Sequence, residues 1–268
     1  MEDLKKKVVN LTGQPRELRE RAIRAIYAEM MGHDIEFTHF FIVNLCQNKT
    51  ISVKRAGYLA ATLLLREDNQ FIIMLVATLQ KDLLSTSTYD VLIGLNTLCK
   101  LISESMVSSF IEIVERLLTH QNALIRKKAF CVYQRILKMT PSSCTNYKNK
   151  IKETLADDNP SVMGVGLNVI YDQVKKDPNA WKDLTKQFVS QFCQILDHRL
   201  HKDYDFQRLP APWLQIKFLQ IFALLGAGDR AVSNDLYDAV EKALKRSDDT
   251  LTDSGFALTY QCVKTITQ

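Results

Sequence analysis

The stretch His120-Gln-Asn-Ala-Leu-Ile-Arg-Lys-Lys-Ala-Phe130 sets three consecutive cations directly after an apolar residue, Ile125. Similar apolar anchors precede and follow Ile125 with steps of 38, 34 and 37 residues. The four anchors are Val53, Val91, Ile125 and Val162. A repeat near this length, with two helices in each unit, is typical of α-solenoids of the HEAT or armadillo kind. The sequence therefore predicts an all-α solenoid that is curved and elongated.

The positions around each anchor agree with this register. Four residues after the anchors stand Gly57, Leu95, Ala129 and Gly166, of which three are small. Residues at i, i+4 and i+7 share one helix face, so small side chains there allow a close helix contact. Arg126, Lys127 and Lys128 are then expected at the solvent edge of a repeat helix, with their stems packed on neighbours. Three charges within one turn are too few for a phosphate track, which argues against a nucleic-acid patch.

Composition also indicates a helical protein. The chain has 268 residues, of which 46% are hydrophobic and 24% charged, with only 9 glycines and 6 prolines. Helical periodicity predicts thirteen helices between residues 16 and 267, separated at 198–212 by one long irregular connection. Residues 1–15 are expected to be partly disordered, and residues 16–268 to form the solenoid.

Charge and cysteine usage bear on location. The formal net charge is +5, and cations and anions are interspersed, which permits a basic face towards acidic lipids without indicating a dedicated polyanion binder. Six isolated cysteines without a CxxC pair are expected to be buried free thiols in a reducing compartment. The amino terminus does not resemble a secretory signal, and no apolar run approaches the length of a bilayer span. These features predict a cytoplasmic protein whose membrane contact is peripheral.

Signatures of catalysis are missing from the sequence. It contains no GxxxxGK[ST], GxGxxG, GxSxG or HExxH motif. His198 and His201, with Asp203 and Asp205 nearby, come closest to a metal-ligand set, but exposed loop side chains are the simpler interpretation. We therefore expect neither an enzyme nor a protein that holds a metal or a cofactor.

Several strings resemble the amino-terminal trunk of the large adaptin subunits of clathrin-type adaptor-protein complexes. They are EMMGHDIEF (29–37), KRAGYLAATLLL (54–65), LQKDLLS (79–85), IRKKAF (125–130) and PAPWLQIKFLQIFALLGAGD (210–229). Three further strings resemble the epsilon subunit of the fourth adaptor complex more than alpha or gamma adaptin: DNPSVMG (158–164), WKDLTKQFVS (181–190) and DHRLHKDYDFQRLPAPW (197–213). A complete large adaptin has a longer trunk, a hinge and an ear, so the resemblance implies that 16–268 is an incomplete trunk.

This resemblance implies a non-catalytic subunit of a vesicle coat. Its trunk would bind a small sigma subunit and would assemble with a beta-type large subunit and a medium mu subunit. An Arf-family GTPase would recruit the complex to trans-Golgi or endosomal membranes for cargo sorting and vesicle-mediated protein transport. Another α-solenoid scaffold, such as a transport receptor or a phosphatase scaffold, is the alternative that the repeats leave open. The PAPWLQIK and KRAGYLA strings argue against it.

The resemblance also implies a site for the GTPase. Phe40 and Val43 match a pair of apolar residues that contributes to the Arf contact in gamma adaptin. Because both are apolar and one turn apart, an inward-facing pair in the core is an equally good interpretation of the pattern. Phe40 and Val43 are therefore candidate GTPase contacts.

A second set of residues is implied at a membrane. Arg19 and Arg24 keep positive charge where alpha adaptin has a phosphoinositide-binding lysine cluster, whereas Leu18 and Glu20 depart from that pattern. The resemblance therefore implies a general electrostatic attraction to anionic membranes and no specificity for phosphoinositides. The candidate membrane-facing cations are Arg19, Arg21, Arg24, Lys54 and Arg55.

Overall fold

The structure is a computed structural model that describes residues 2–66, 69–248 and 250–268. Within these residues the fold is built from α-helices, short 3-10 turns and one pair of two-residue strands. The helices are α1 (Glu2–Val9), α2 (Pro15–Met30), α3 (His39–Cys46), α4 (Ile51–Leu64), α5 (Ile72–Leu83), α6 (Thr88–Leu101), α7 (Val107–Leu117), α8 (Ala123–Met139), α9 (Tyr147–Leu155), α10 (Pro160–Lys176), α11 (Thr185–Leu196), α12 (Pro212–Gly226), α13 (Arg230–Asp248) and α14 (Asp253–Thr267).

The thirteen predicted helices correspond to α2–α14, and the all-α repeat architecture is confirmed. Helix α1 was missed because the predicted helices began at residue 16. Three of these α-helices, α3, α7 and α11, begin directly after 3-10 turns at Glu36–Thr38, Glu104–Met106 and Asn179–Leu184. The partial disorder expected for residues 1–15 stays a prediction.

The chain groups into two compact units, Met1–Thr145 and Asn146–Gln268. In the first unit the even-numbered helices α2, α4, α6 and α8 pack side by side as one layer, and α3, α5 and α7 form a second layer. Each of α3, α5 and α7 also packs on the even-numbered helix that follows it. This arrangement of successive helix pairs is the HEAT-like repeat that the spacing of the anchors predicted.

The second unit repeats the pattern. Helices α10, α12 and α14 pack side by side, and α11 packs on α13. The connection predicted to be irregular holds an antiparallel hairpin, in which β1 (Asp205–Phe206) pairs with β2 (Leu209–Pro210). The two turn residues, Gln207 and Arg208, both have positive φ, as a two-residue hairpin of matching twist requires.

The anchors and their helix faces form the core. All four anchors and the residues four and seven positions after them are buried, which confirms the register of the repeat. Gly57 shows why a small residue is needed there. A Cβ at this position would lie 2.8 Å from both the Leu45 Cβ and the Cys46 backbone nitrogen on α3. A Cβ at Gly166 would lie closer still to the side chain of Thr154 on α9.

The cationic triplet has a structural role at the start of α8. The Arg126 guanidinium donates hydrogen bonds of 2.9 Å to the carbonyl oxygens of His120 and Gln121, and so ties the preceding loop to the helix. Lys127 and Lys128 are half-buried. The Asn122 side chain caps the helix by accepting from the Leu124 amide at 2.9 Å. The triplet is a repeat position, as the sequence indicated.

Candidate interaction surfaces

Lys54, a candidate membrane contact, lies instead inside the first unit, so this expectation is wrong. Its ammonium Nζ is 2.8 Å from Oδ1 of Asp82 on α5 and 2.9 Å from Oδ1 of Asp90 on α6. Tyr58, one turn further along α4, donates its hydroxyl to Oδ2 of Asp82 at 2.6 Å. Lys54, Tyr58 and Asp82 are buried, and Asp90 is half-buried. The buried ion cluster, Lys54, Tyr58, Asp82 and Asp90, joins three consecutive helices.

The cluster shifts the proton affinities of two of its members. Burial by itself lowers the pKa of Lys54, but the hydrogen bonds and charges of Asp82 and Asp90 outweigh it and raise that pKa above its usual value. Burial, followed by the bond to Asp82, raises the pKa of Tyr58 well above its usual range. Lys54 is therefore held charged and Tyr58 neutral, and neither is available to a membrane.

Arg21 also has a structural role. Its guanidinium donates to the carbonyl oxygens of Lys7 and Asn10 at 3.1 and 2.8 Å, and it reaches Glu17 of its own helix at 3.5 Å. The side chain is half-buried by these contacts. Arg21 therefore joins α2 to the end of α1 and the chain that follows it, and it contributes little free charge to a membrane-facing surface.

The other three candidate cations are exposed. Arg19 lies on the outer side of α2 and Arg55 on the outer side of α4. Arg24 is exposed too, although its guanidinium is 2.6 Å from the Glu20 carboxylate, which offsets part of its charge. Of the five membrane candidates, the structure thus places Arg19, Arg24 and Arg55 at the surface.

The two candidate GTPase contacts lie on different sides of α3. Phe40 is 45% exposed, and its ring centroid is 6.1 Å from that of Phe71, just before α5. Val43 is 0% exposed and belongs to the core. Ile73 and Met74, at the start of α5, are exposed apolar residues that follow Phe71 in the chain. We call Phe40, Phe71, Ile73 and Met74 the α3–α5 patch; Val43 is buried and is not part of it.

The histidines of the hairpin connection pair with nearby carboxylates. His198 Nδ1 is 3.8 Å from Asp205 Oδ2, and His201 Nδ1 is 3.3 Å from Asp203 Oδ2. His201 and Asp203 are exposed, and the two pairs do not converge on one point: among the described residues, no group of three potential ligands could hold a metal ion. The simpler interpretation, loop side chains at the surface, describes them.

The sequence matches a family model described as the adaptin N terminal region over residues 2–268. The chain belongs to this adaptin family. This membership confirms the resemblance drawn from KRAGYLAATLLL and PAPWLQIKFLQIFALLGAGD. It also removes the support for a transport receptor or a phosphatase scaffold as the alternative.

Known adaptins are similar to this chain over nearly its whole length. The AP-4 complex subunit epsilon of Arabidopsis thaliana is 39% identical over 98% of the chain, which spans 28% of that relative. The AP-4 complex subunit epsilon-1 of Mus musculus is 30% identical over 99% of the chain, which spans 24% of that relative. The similarity to the epsilon subunit is thus confirmed, and the chain spans about a quarter of the length of these relatives.

A solved structure supports the fold. A chain of a full-length AP-3 complex, a homology model in an intermediate open conformation, aligns with 94% of this chain at a TM-score of 0.64 and 20% identity. The alignment covers 44% of that chain. Across the part of the adaptin chain that the structure describes, no helix combines the length and apolarity needed to span a membrane.

The ion cluster of this adaptin was missed by sequence reasoning, although a signal for it exists. Lys54 stands directly after the anchor Val53, and Arg126 stands directly after the anchor Ile125. Both cations turn towards a neighbouring loop or helix rather than towards solvent. The partner Asp82 lies on α5, the helix that follows α4 and belongs to the next repeat. A cation directly after an anchor is therefore better interpreted as a link between helices than as surface charge.

Proposed function

We propose that the chain forms part of the trunk of a large adaptor-complex subunit and acts as a non-catalytic scaffold of a vesicle coat. The observation that carries this proposal is the two-layered helical repeat in a sequence that matches the adaptin family over residues 2–268. The relatives named above are subunits of AP-4 complexes. By this likeness, the chain assembles with sigma, mu and beta-type subunits and works in the cytoplasm at trans-Golgi or endosomal membranes, in cargo sorting and protein transport.

Co-expression with candidate partner subunits tests the scaffold. An adaptin trunk is expected to co-elute with a sigma-type subunit in size-exclusion chromatography at equal stoichiometry. The buried-cluster variant Lys54→Met, which should disturb the first unit, serves as a reference for loss by misfolding. Failure of the wild-type chain to retain any sigma, mu or beta-type subunit contradicts the proposal.

The α3–α5 patch is the surface we assign to an Arf-family GTPase. An exposed aromatic ring beside further exposed apolar side chains is a typical anchor of a protein interface. Phe40→Glu is expected to abolish pull-down by a GTP-locked Arf-family protein while sigma capture persists. Tyr27→Glu is the matched control, since Tyr27 is an exposed aromatic residue on α2, outside the patch. Val43 is unsuitable for this test because a charge at a fully buried position would unfold the helix pair.

A control result refutes this assignment clearly. If Phe40→Glu and Tyr27→Glu bind the GTPase equally well, the patch is not the contact. If both variants lose binding and both melt like the parent, the contact extends to α2 and its restriction to the α3–α5 patch is wrong. Thermal melting by circular dichroism separates either outcome from misfolding.

Membrane attraction is expected to be weak and electrostatic, with Arg19 and Arg24 of α2 as its exposed cations. Each cation near an acidic bilayer contributes on the order of 1 kcal/mol to the binding free energy. Two cations therefore bind weakly by themselves, and stable recruitment also needs a protein partner at the membrane. The fraction of protein that co-sediments with phosphatidylserine vesicles should fall as the salt concentration is raised. It should be lower for Arg19→Glu than for the parent. Binding that is equal on neutral vesicles excludes the electrostatic mechanism.

A further inference from the structure

A groove runs along the outer side of the even-numbered layer, between α4 and α6. Its volume is about 220 Å³. Three of the residue pairs that line it are Arg55 with Ile93, Leu59 with Thr97, and Thr62 with Lys100. In each pair the α6 residue follows its α4 partner by the same 38 positions that separate the anchors Val53 and Val91. The groove is therefore the seam between two consecutive repeats.

The groove combines an apolar floor with two cationic ends. Leu59 is 51% exposed, and Ile93 is half-buried beside it. Arg55 lies at the end of the groove near the start of α4, level with Ile93, and Lys100 lies seven residues further along α6. At the helical rise of about 1.5 Å per residue, the two charges are about 10 Å apart along the groove. This separation corresponds to two helical turns of an occupant.

Helices α4, α6 and α8 carry almost no negative charge; the other acidic residues of this layer lie on α2, which packs against α4. Helices α4 and α8 contain no acidic residue, and α6 contains only Asp90, which Lys54 binds at 2.9 Å on the other side of α4. The hydroxyls of Thr62 and Thr97 donate to backbone carbonyls of their own helices, at 2.8 and 3.0 Å. Their oxygens remain as acceptors only. No carboxylate in these three helices therefore neutralises Arg55 and Lys100.

We propose that this groove binds an acidic amphipathic helix of a partner protein, with acidic residues at i and i+7 and apolar residues at i+3 and i+4. The acidic residues would meet Arg55 and Lys100, and the apolar residues would cover Leu59 and Ile93. Such helix-in-groove recognition takes its affinity from the apolar anchors and its orientation from the charges. Arg55, expected from the sequence to face a membrane, is thereby reassigned to a protein contact. A recess between two helices admits side chains, whereas a bilayer surface is too broad to enter it.

This surface is distinct from the α3–α5 patch, because Phe40 lies on α3 in the other layer. The proposal does not depend on GTPase or sigma binding, and its test uses neither. The probe is a fluorescein-labelled helical peptide that carries glutamates at i and i+7 and leucines at i+3 and i+4. A matched peptide has lysines in place of the glutamates. Phosphatidylserine vesicles form the third arm.

We expect the glutamate peptide to bind the whole chain in fluorescence anisotropy and the lysine peptide to bind at least tenfold more weakly. Arg55→Glu with Lys100→Glu should weaken the glutamate peptide about tenfold, since each reversal replaces an attraction by a repulsion at a solvated pair. Lys81→Glu is the charge control, because Lys81 is an exposed cation of α5 in the same unit and outside the groove. It should leave the affinity within about twofold.

A second pair of variants tests the apolar floor. Leu59→Ser should weaken binding of the glutamate peptide, whereas Leu84→Ser should not. Leu84 is a matched control because it is 55% exposed, against 51% for Leu59. The proposal is overturned if the double charge reversal binds as tightly as the parent, if both peptides bind equally, or if no binding appears at roughly 1 mM peptide. Vesicle binding that needs Arg55 and Lys100, without peptide binding, overturns it in favour of a lipid surface.

Discussion

Replacing Lys54 by methionine tests how the buried ion cluster supports the first unit. Methionine keeps an unbranched apolar stem of similar length and removes only the charge. Asp82, which is 5% exposed, would then be a buried carboxylate whose remaining partner is the hydroxyl of Tyr58. Asp90, freed from its contact at 2.9 Å, is half-buried nearby and adds repulsion. The variant thus leaves buried negative charge without compensation.

The expected loss in the free energy of unfolding is about 3–5 kcal/mol, the range for removing one partner of a buried ion pair. For a chain of this size each kcal/mol lowers the melting temperature by about 2–4 °C, so a fall of about 6–20 °C follows. The double variant Lys54→Met with Asp82→Asn should recover much of it at neutral pH.

Urea unfolding followed by circular dichroism, with hydrogen exchange across α4–α6, measures these effects in the relevant unit. Lys242→Met is the matched control. Its ammonium is 2.7 Å from Asp197, close to the 2.8 Å between Lys54 and Asp82, but both members of the Lys242–Asp197 pair are solvated. Its loss should be much smaller. If Lys54→Met is no more damaging than Lys242→Met, or if Asp82→Asn fails to rescue it, the cluster does not stabilise the unit in the way argued.

Three further predictions address other parts of the fold. Burial and the bond to Asp82 raise the pKa of Tyr58, so the folded state keeps a proton that the unfolded state loses near pH 10. The free energy of unfolding should therefore fall above about pH 10. In urea titrations it should fall less steeply for Tyr58→Phe. Gly57→Ala should lower the free energy of unfolding by about 1–3 kcal/mol, because its Cβ would meet the backbone of α3. Gly164→Ala should lower it clearly less, because its Cβ would lie 3.1 Å from the flexible end of the Leu214 side chain. Equal losses would contradict the close approach at Gly57. Arg21→Gln should speed proteolysis within residues 2–12, while Arg19→Gln, at an exposed position, should not; equal cleavage rates contradict the tie between α1 and α2.

The sequence by itself determined the fold class and its register. The anchors Val53, Val91, Ile125 and Val162 recur at nearly even steps, and all four are buried where the pattern placed them. This worked because each repeat buries its apolar face on its neighbours, so local periodicity and tertiary packing select the same residues. The family followed from longer strings such as PAPWLQIK, which periodicity alone would not produce.

The roles of individual surface residues were decided only by the tertiary structure. Lys54 and Arg55 are adjacent and chemically alike, yet one is buried between two carboxylates and the other is exposed on a groove. Phe40 and Val43 are one turn apart and both apolar, yet one is exposed and the other lies in the core. Whether a side chain meets solvent or another helix depends on partners that are distant in sequence: Asp82 is 28 residues from Lys54. The helical period specifies the direction in which a side chain leaves its own helix, but only the packing of the next repeat determines what it meets there.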